Sequence, residues 1–479
     1  MRLCQLFEDV AYTGTLPEGE AGLVVRDSRK FAPGAVFVCT KGARFDSHTF
    51  AAEAVEKGAA VVVTERPMGL AREVTVENGA AAYALLCHNF FGRPADKLKL
   101  AAVTGTNGKT PVSFVLKQIL EKAGLRCGLI GTIRSEVAGM EIPAKFTTPE
   151  PWDLAALFAR MVGAGCSVAV LEASSQALAQ LRLFGLRFDV AGFTNLSQDH
   201  LDYHKTMEAY YQAKKVLFSQ SRQAVVNLND ETGLRLEREL AGMPFCGYTN
   251  GAGGSLRAEK VQLKAGGVDF VLTGEGFAEP VRFPMPGDYS AHNALCAAGM
   301  ALALGLTPQQ TAQGLTACQG VRGRCEVLYN DKFTIVCDFA HTADGIEKVL
   351  SGLAPFVKGR LYVLFGCAGE RDATKRHAMA RAALKYADEI VLTSDNPRSE
   401  DPYKILDDAE FVLRTGGKPY LVEVERRRAI SKALALLEEG DMLVLCGKGH
   451  EDYQAIDGVT IYLDEHRIVA DWLKKEHLI

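Results

Sequence analysis

The residues with the most evident chemical capacity are Gly105, Thr106, Asn107, Gly108, Lys109 and Thr110, which follow the apolar run LAAVT and precede PVSFVLKQILEKAG, a stretch with helical periodicity. Glycines let backbone N–H groups turn inward around phosphate oxygens. The N-terminus of the following helix adds positive potential, Lys109 supplies a full charge, and Thr110 offers a hydroxyl suited to Mg2+. A nucleoside triphosphate is the ligand such a loop fits. The usual phosphate loop has a further glycine five residues before its second one; Val103 stands there, so this is a shortened GxxGKT variant. The plain alternative is a strand-to-helix turn that happens to hold two glycines, and the residues alone leave ATP and GTP both open.

Glu172 closes the apolar run SVAVLEA, and Asp199 and His200 follow VAGFTNL. Ligands of open α/β sheets gather at the carboxyl ends of strands. There Glu172 can complete an oxygen-rich Mg2+ shell with Thr110 and phosphate oxygens. His200 can serve a second metal, or be an ordinary surface or packed loop histidine.

Positioning these groups calls for parallel sheets, and the patterning supplies them. From Leu98 to about Arg324 the buried-type strands LAAVT, CGLIG, SVAVLEA, VAGFTNL and QAVVNL alternate with helix-length segments, as in a parallel sheet with crossover helices. VDFVLTG and PVRFPM predict an antiparallel excursion within this region, and Ser290 to Leu304 reads as a helix. Before it, GLVV, AVFVC and AAVVVT predict a small mixed α/β unit ending at Gly92, Arg93 and Pro94. After it, FTIVCDF, RLYVLFG, DEIVLTS, YLVEV and DMLVLCG predict a second doubly wound domain. The expected class is α/β with three domains: 1–94, small and mixed; 95–324, a phosphate-loop mononucleotide-binding domain; 325–479, Rossmann-like.

A chain of 479 residues exceeds what one hydrophobic core usually supports, which fits that division. With 48% hydrophobic and 23% charged residues it has the makeup of an ordinary globular protein. A net charge of -4 gives no chain-wide electrostatic reason to bind nucleic acid or anionic membrane, so anionic ligands must be held locally. The 12 cysteines are scattered without a CxxC pair, which predicts neither a zinc site nor a disulfide framework. MRLCQLFEDV lacks the long apolar core of a signal peptide, and no stretch approaches a membrane span; the cytoplasm is the expected location.

GTNGKT, EASSQAL, NLSQDHLDYH, AKKVLF, DFAHTADGIEKVL, FGCAGERD, SDNPR and GKGHEDYQ occur in the order seen in Mur ligases, and the chain resembles that family over its whole length. The resemblance implies an ATP-dependent ligase of peptidoglycan synthesis that adds meso-diaminopimelate to UDP-N-acetylmuramoyl-L-alanyl-D-glutamate, working as a monomer. It implies that Lys214 is carbamylated and holds a second Mg2+ with His200, so that Lys109, Lys214 and His200 serve catalysis. Read as a residue alone, Lys214 beside Lys215 could equally be an ordinary helix-surface lysine. Adenine and ribose contacts are implied for Asn293, Arg324 and Asp338, with His341 a weaker candidate. Ser28 is implied to meet the UDP moiety, and Thr147, Thr148, Ser174 and Arg182 the muramoyl dipeptide.

For the amino acid the resemblance implies Arg371, Asp395, Asn396, Pro397, Arg398, Gly447 and Glu451. Diaminopimelate differs from lysine by a distal carboxylate, which the Arg398 guanidinium can grip bidentately while opposing lysine's bare ammonium. Glu451 suits an ammonium. The sequence departs from the family pattern at Gln176, where histidine is usual, at Lys205, where glycine is common, and in GCAGERD, which carries alanine and glutamate where GCGGDRD is usual. The rival readings are a ligase adding lysine or another diamine, and a nucleotide-hydrolysing regulatory protein. Folylpolyglutamate synthetases share the loop and metal layout, but are not expected to carry SDNPR and GKGHEDYQ.

Overall fold

The computed structural model describes residues 1–42 and 45–479, and the chain divides into two compact units: Met1–Leu256 with Cys296–Gly314, and Arg257–Leu295 with Leu315–Ile479.

In the first unit β1 (Leu23–Val25), β2 (Ala35–Val38), β3 (Val61–Thr64) and β4 (Glu73–Thr75) form a four-stranded parallel sheet in that order. The two inner strands, β2 and β3, are Val-rich and buried throughout, as strands covered on both faces require. The helix Gly79–Phe90, capped by the Asn78 side chain on Ala81 N–H, packs over this sheet. Phe90 and Phe91 continue the apolar surface onto Trp152, with ring centroids 5.0 and 4.8 Å apart, at the start of the helix Pro151–Gly163.

The larger sheet of the same unit contains β5 (Lys99–Thr104), β6 (Cys127–Ile130), β7 (Arg134–Val137), β8 (Met140–Pro143), β9 (Val168–Glu172), β10 (Val190–Phe193), β11 (Ala224–Asn227) and β12 (Phe245–Thr249). Their order is β12-β11-β10-β5-β9-β6-β7-β8. All neighbours are parallel except the β6-β7-β8 meander. Because β10, β5 and β9 are parallel neighbours, with Phe193 opposite Thr104 and Glu172 opposite Val103, residues that follow them emerge at one carboxyl edge.

In the second unit β13 (Leu256–Lys264), β14 (Gly267–Gly274) and β15 (Phe277–Phe283) pair antiparallel, the excursion that VDFVLTG and PVRFPM predict. A six-stranded sheet holds β16 (Glu326–Asn330), β17 (Thr334–Asp338), β18 (Leu361–Cys367), β19 (Glu389–Ser394), β20 (Tyr420–Glu423) and β21 (Met442–Cys446) in the order β16-β17-β21-β18-β19-β20. Only β16 is antiparallel. Alternate side chains serve opposite layers. Val336, Val363, Phe365, Ile390 and Leu392 face the helices Ala343–Leu353, Thr374–Tyr386 and Pro402–Leu413, while Ile335, Leu364, Val391 and Leu445 face Arg426–Ala435 and Glu465–Lys475. This two-sided burial makes the inner strands β18, β19 and β21 almost continuously apolar, while β20 at the sheet edge is half-buried. A hairpin, β22 (Tyr453–Ile456) and β23 (Val459–Tyr462), follows β21.

Candidate active site

At the carboxyl edge of β5 the chain turns through Gly105, with φ 148°, and Gly108, with φ 87°, into the helix Lys109–Lys122. A Cβ on Gly105 would lie 1.9 Å from Thr194 Oγ1, so the close approach of the β10 end requires glycine there. The neighbouring strand end holds the loop in place. Thr194 Oγ1 donates to Asn107 O at 2.6 Å, Asn195 Oδ1 accepts from Asn107 N–H at 3.0 Å, and Thr106 N–H donates to Asn195 O at 2.9 Å. Lys109 Nζ lies over the loop and donates to Gly105 O and Thr106 O at 3.0 and 2.9 Å.

Beneath the loop Thr110 Oγ1 donates to Glu172 Oε2 at 2.9 Å, and the carboxylate is fully buried. Thr132 binds it twice, from N–H to Oε1 at 3.0 Å and from Oγ1 to Oε2 at 2.8 Å. A hydroxyl and a carboxylate are the hard oxygen donors Mg2+ prefers. Among the described residues no group of three or more His, Cys, Asp or Glu side chains is gathered to hold a metal. Mg2+ needs no such cage where one or two protein oxygens share it with a triphosphate.

Lys214, in the helix Met207–Ser219, is 1% exposed, so it is no surface lysine. Its Nζ donates to Gly105 O at 2.7 Å and lies 4.4 Å from the centre of the Tyr210 ring. Burial, with the like charge of Lys109, drives its basicity well below that of an ordinary lysine, outweighing the opposing pull of Asp199. A neutral amine is the form that adds CO2. His200 sits half-exposed before the turn Leu201–His204, its Nε2 3.5 Å from Asp199 Oδ2 and its ring edge-on to Tyr210. Tyr210 thus touches both candidate second-metal residues, and its hydroxyl reaches Thr106 Oγ1 at 3.2 Å.

Thr147, Thr148, Ser174 and Arg182 come together beside Glu172. Thr148 Oγ1 donates to Glu172 O at 2.7 Å and accepts from Ser174 N–H at 3.0 Å; Thr147 Oγ1 is 3.1 Å from Thr132 Oγ1; Arg182 Nη1 donates to Thr148 O at 2.9 Å. Burial lowers the basicity of Arg182 despite its ion pair with Glu150 at 3.0 Å, and Glu150 also pairs with Arg26. Ser28 opens the turn Ser28–Lys30, capped by Asp27, two residues after the Arg26 that pairs with Glu150.

In the second unit, Asp338 ends β17 opposite Cys446, the end of β21, and Cys367 ends β18 opposite Ser394 of β19. Their loops therefore share a carboxyl edge. Burial raises the pKa of Asp338, partly offset by Arg324, and its oxygens accept from the N–H groups of Cys325 and Ala340 at 2.6 and 2.7 Å. The Arg324 guanidinium lies 4.4 Å from the centre of the Phe339 ring, His341 Nδ1 meets Phe339 O at 2.8 Å, and Asn293 is buried in the helix Asp288–Ala303.

On the same edge Asp395, Asn396, Gly447 and Glu451 converge on Lys448, which lies 2.6 Å from Asn396 Oδ1, 3.2 Å from Glu451 Oε2 and 3.5 Å from Asp395 Oδ1. Gly447, with φ 114°, leaves room for Asp395 Oδ2, 2.7 Å from where a Cβ would lie. Pro397 is buried with its carbonyl against Gly369. Arg398 has left-handed backbone, φ 56°, pinned by its N–H to Ala455 O at 2.9 Å, and its Nη1 donates to Gly369 O at 3.1 Å. Arg371 is exposed in the loop after β18. Sequence reasoning missed Thr132, Thr194, Asn195, Tyr210 and Lys448. Thr194 and Asn195, polar residues directly after an apolar strand, carried a usable signal.

Residues 22–86 match the family model described as Mur ligase family, catalytic domain; 103–301 match the Mur ligase middle domain; and 323–449 match the Mur ligase, glutamate ligase domain. The chain belongs to the Mur ligase family. It is an ATP-dependent amide-bond-forming ligase. It is 41% identical over 455 residues, 94% of each chain, to UDP-N-acetylmuramoyl-L-alanyl-D-glutamate--2,6-diaminopimelate ligase 1 of Clostridium acetobutylicum. To the like-named ligase of Bacillus licheniformis it is 40% identical, over 92% of each chain. A solved structure of a UDP-N-acetylmuramoyl-L-alanyl-D-glutamate--2,6-diaminopimelate ligase matches with TM-score 0.71, 31% identity and 95% of each chain covered. Among the described residues, no helix of this ligase is long and apolar enough to cross a membrane.

Proposed function

We propose that this ligase joins an amine of meso-diaminopimelate to the D-glutamyl γ-carboxylate of UDP-N-acetylmuramoyl-L-alanyl-D-glutamate, with ATP cleaved to ADP and phosphate. The γ-carboxylate attacks the γ-phosphorus and ADP leaves; the amine attacks the acyl carbon of the resulting acyl phosphate; phosphate leaves from the tetrahedral intermediate and the nitrogen loses a proton. The observation that carries this reading is the gathering of Asp395, Asn396, Arg398, Gly447 and Glu451 at one sheet edge in a chain whose relatives bear the diaminopimelate-ligase name.

Lys109 and the N–H groups from Gly105 to Thr110 stabilise negative charge on the transferring phosphoryl, an electrostatic and positional task. Thr110 and Glu172 would hold one Mg2+ with phosphate oxygens, and His200 with carbamylated Lys214 a second, offsetting charge on the triphosphate. Asn293, Arg324, Asp338 and His341 take the adenine and ribose. Ser28 takes the UDP moiety, and Thr147, Thr148, Ser174 and Arg182 the muramoyl dipeptide. Arg398 grips the distal carboxylate of diaminopimelate, Arg371 assists, and Glu451 accepts an ammonium. The division of labour is then 1–94 for UDP, 95–324 for ATP and 325–479 for the amino acid. The resemblance further implies a cytoplasmic monomer as the working form.

The test is phosphate release from ATP with the UDP-muramoyl dipeptide present and either diaminopimelate, lysine or no amino acid, the products weighed by mass spectrometry. Stoichiometric phosphate and a UDP-tripeptide with diaminopimelate alone are expected. Equal use of lysine would remove the role given to Arg398, and ATP hydrolysis indifferent to both co-substrates would make the protein a nucleotide switch.

A further inference from the structure

Lys448 has no exposed surface, yet it lies in the loop after β21, among the residues assigned to the amino acid. Burying an ammonium costs several kcal/mol unless its donors are all met. Here the three N–H donors have three oxygens within reach: Asn396 Oδ1 at 2.6 Å, Glu451 Oε2 at 3.2 Å and Asp395 Oδ1 at 3.5 Å. The ring of Tyr453 flanks it, centred 5.4 Å away. Two donors are hydrogen-bonded by protein and the third side of the ammonium faces the Asp395 carboxylate, so Lys448 is held by the protein rather than offered to solvent.

Its effect falls on the neighbours. Asn396 Oδ1 accepts from Lys448 Nζ and from Ala455 N–H at 2.9 Å, which uses both of its lone pairs and forbids an amide flip. Nδ2 is thereby forced toward Glu451 Oε2, 3.2 Å away, and keeps its second N–H to offer. Glu451, bound through Oε2 on both sides, keeps Oε1 to offer. Of the two carboxylates in the cluster, Asp395 also faces the buried Arg426 guanidinium, which leaves the free oxygen of Glu451 as the acceptor for an incoming ammonium.

We infer that Lys448 is a positioning residue for amino-acid capture, locking the Asn396 amide and the Glu451 carboxylate in the orientation that presents one donor and one acceptor to the amino acid. This rests on the proposed function, and it adds a residue that acts through others. Loss of the donor lets the Asn396 amide rotate and releases the Glu451 carboxylate from its held orientation, so amino-acid affinity falls while the phosphate loop is untouched.

The experiment compares Lys448→Met and Lys448→Gln with the wild type in the full chain, measuring kcat and the KM of each of the three substrates. Lys448→Met is expected to raise the amino-acid KM by about 10- to 100-fold, by analogy with the loss seen when a group orienting a metal-binding side chain is removed, with the KM values of ATP and the UDP-dipeptide within about threefold. Lys448→Gln keeps a neutral donor for Asn396 Oδ1 and should recover a large part of that loss. Two results would overturn the inference: an amino-acid KM that moves no more than the other two, or a fall in kcat alone in both variants. If the methionine variant does not fold, Lys448→Leu, which likewise lacks a donor, is judged on the same criterion. A wild type that makes no amide with any amine would bring down the functional reading and this inference together, whereas an active wild type with unaffected variants brings down the inference alone.

Discussion

Lys205 occupies φ 67°, ψ -40°, a backbone conformation that an L side chain adopts only under strain and that glycine adopts freely. The sequence departs from the family's common glycine at this position. Lys205→Gly should therefore stabilise the protein by about 1 kcal/mol, the relief of strain exceeding the extra chain entropy of glycine. A urea midpoint that stays put or falls would refute this. The lysine pair in AKKVLF shows what single residues conceal: Lys214 is 1% exposed, while Lys215, one position on, pairs with Glu239 at 2.8 Å at the rim. Which of two adjacent lysines faces inward depends on which side of the helix packs, and the pattern AYYQAKKVLF is apolar on more than one side. The Lys214 carbamate, proposed from resemblance, predicts that labelled bicarbonate gives a carbamate resonance in the wild type and none in Lys214→Arg. An unlabelled wild type or a labelled variant would refute the assignment.

At the scale of elements, the strand-loop-helix order around Gly105 was legible because a buried strand, two glycines and a helical period each leave a local mark. Thr194 and Asn195 showed only as polar residues after an apolar strand; that they and Thr132 meet the loop and Glu172 was not legible, since they arrive from other strands and their placement depends on the order β10-β5-β9-β6. The apolar runs named β17 to β21, whereas the half-exposed edge strand β16, the exposed β8 and the largely exposed hairpin β22-β23 lack an apolar buried face to betray them, and β7 is buried but through the polar Ser135 and Glu136. Gly105→Ala tests the close approach: its Cβ would collide with Thr194 Oγ1, and activity should fall by about 100-fold or more through loss of the ordered N–H cradle. Phosphate release near the wild-type rate would contradict that geometry.

The strand ends that carry Asp395 and Gly447 are tied by Arg426, fully buried, which donates to Glu465 Oε1 at 2.8 Å, Cys446 O at 2.8 Å and Ser394 O at 3.3 Å. Burial would lower its basicity, but Glu465 and Asp395 outweigh that and raise it. Arg426→Met leaves Glu465 buried without its partner and should cost about 3–5 kcal/mol, while Arg426→Met with Glu465→Leu should recover most of it. Urea unfolding of the two variants separates these outcomes; equal stability of the single and double variants would refute the pairing.

For the whole molecule, buried histidines and paired carboxylates in both units set the response to acid. Burial, together with Arg324 and Arg322, pushes His450 down to about 3, and burial lowers His88 in spite of Asp96. Burial would raise Glu136 and Glu326, but Lys117 with Arg134 outweigh it at the first, and His466 with the Gly323 N–H at the second, so both are held below the usual carboxylate range. In each case the folded pKa is the lower one, so the unfolded chain binds more protons as pH falls, and stability is lost in that direction. The histidines begin to cost stability below about pH 6.5 and the carboxylates below about pH 4.3, each at no more than about 1.4 kcal/mol per pH unit. The thermal midpoints of both units should thus decline gently from neutrality to pH 5 and steeply below pH 4. Because His88 belongs to the first unit and His450 to the second, His88→Gln should flatten the gentle limb of one calorimetric transition and His450→Gln that of the other. A gentle limb unchanged in both variants would mean that the two rings are already protonated in the folded chain.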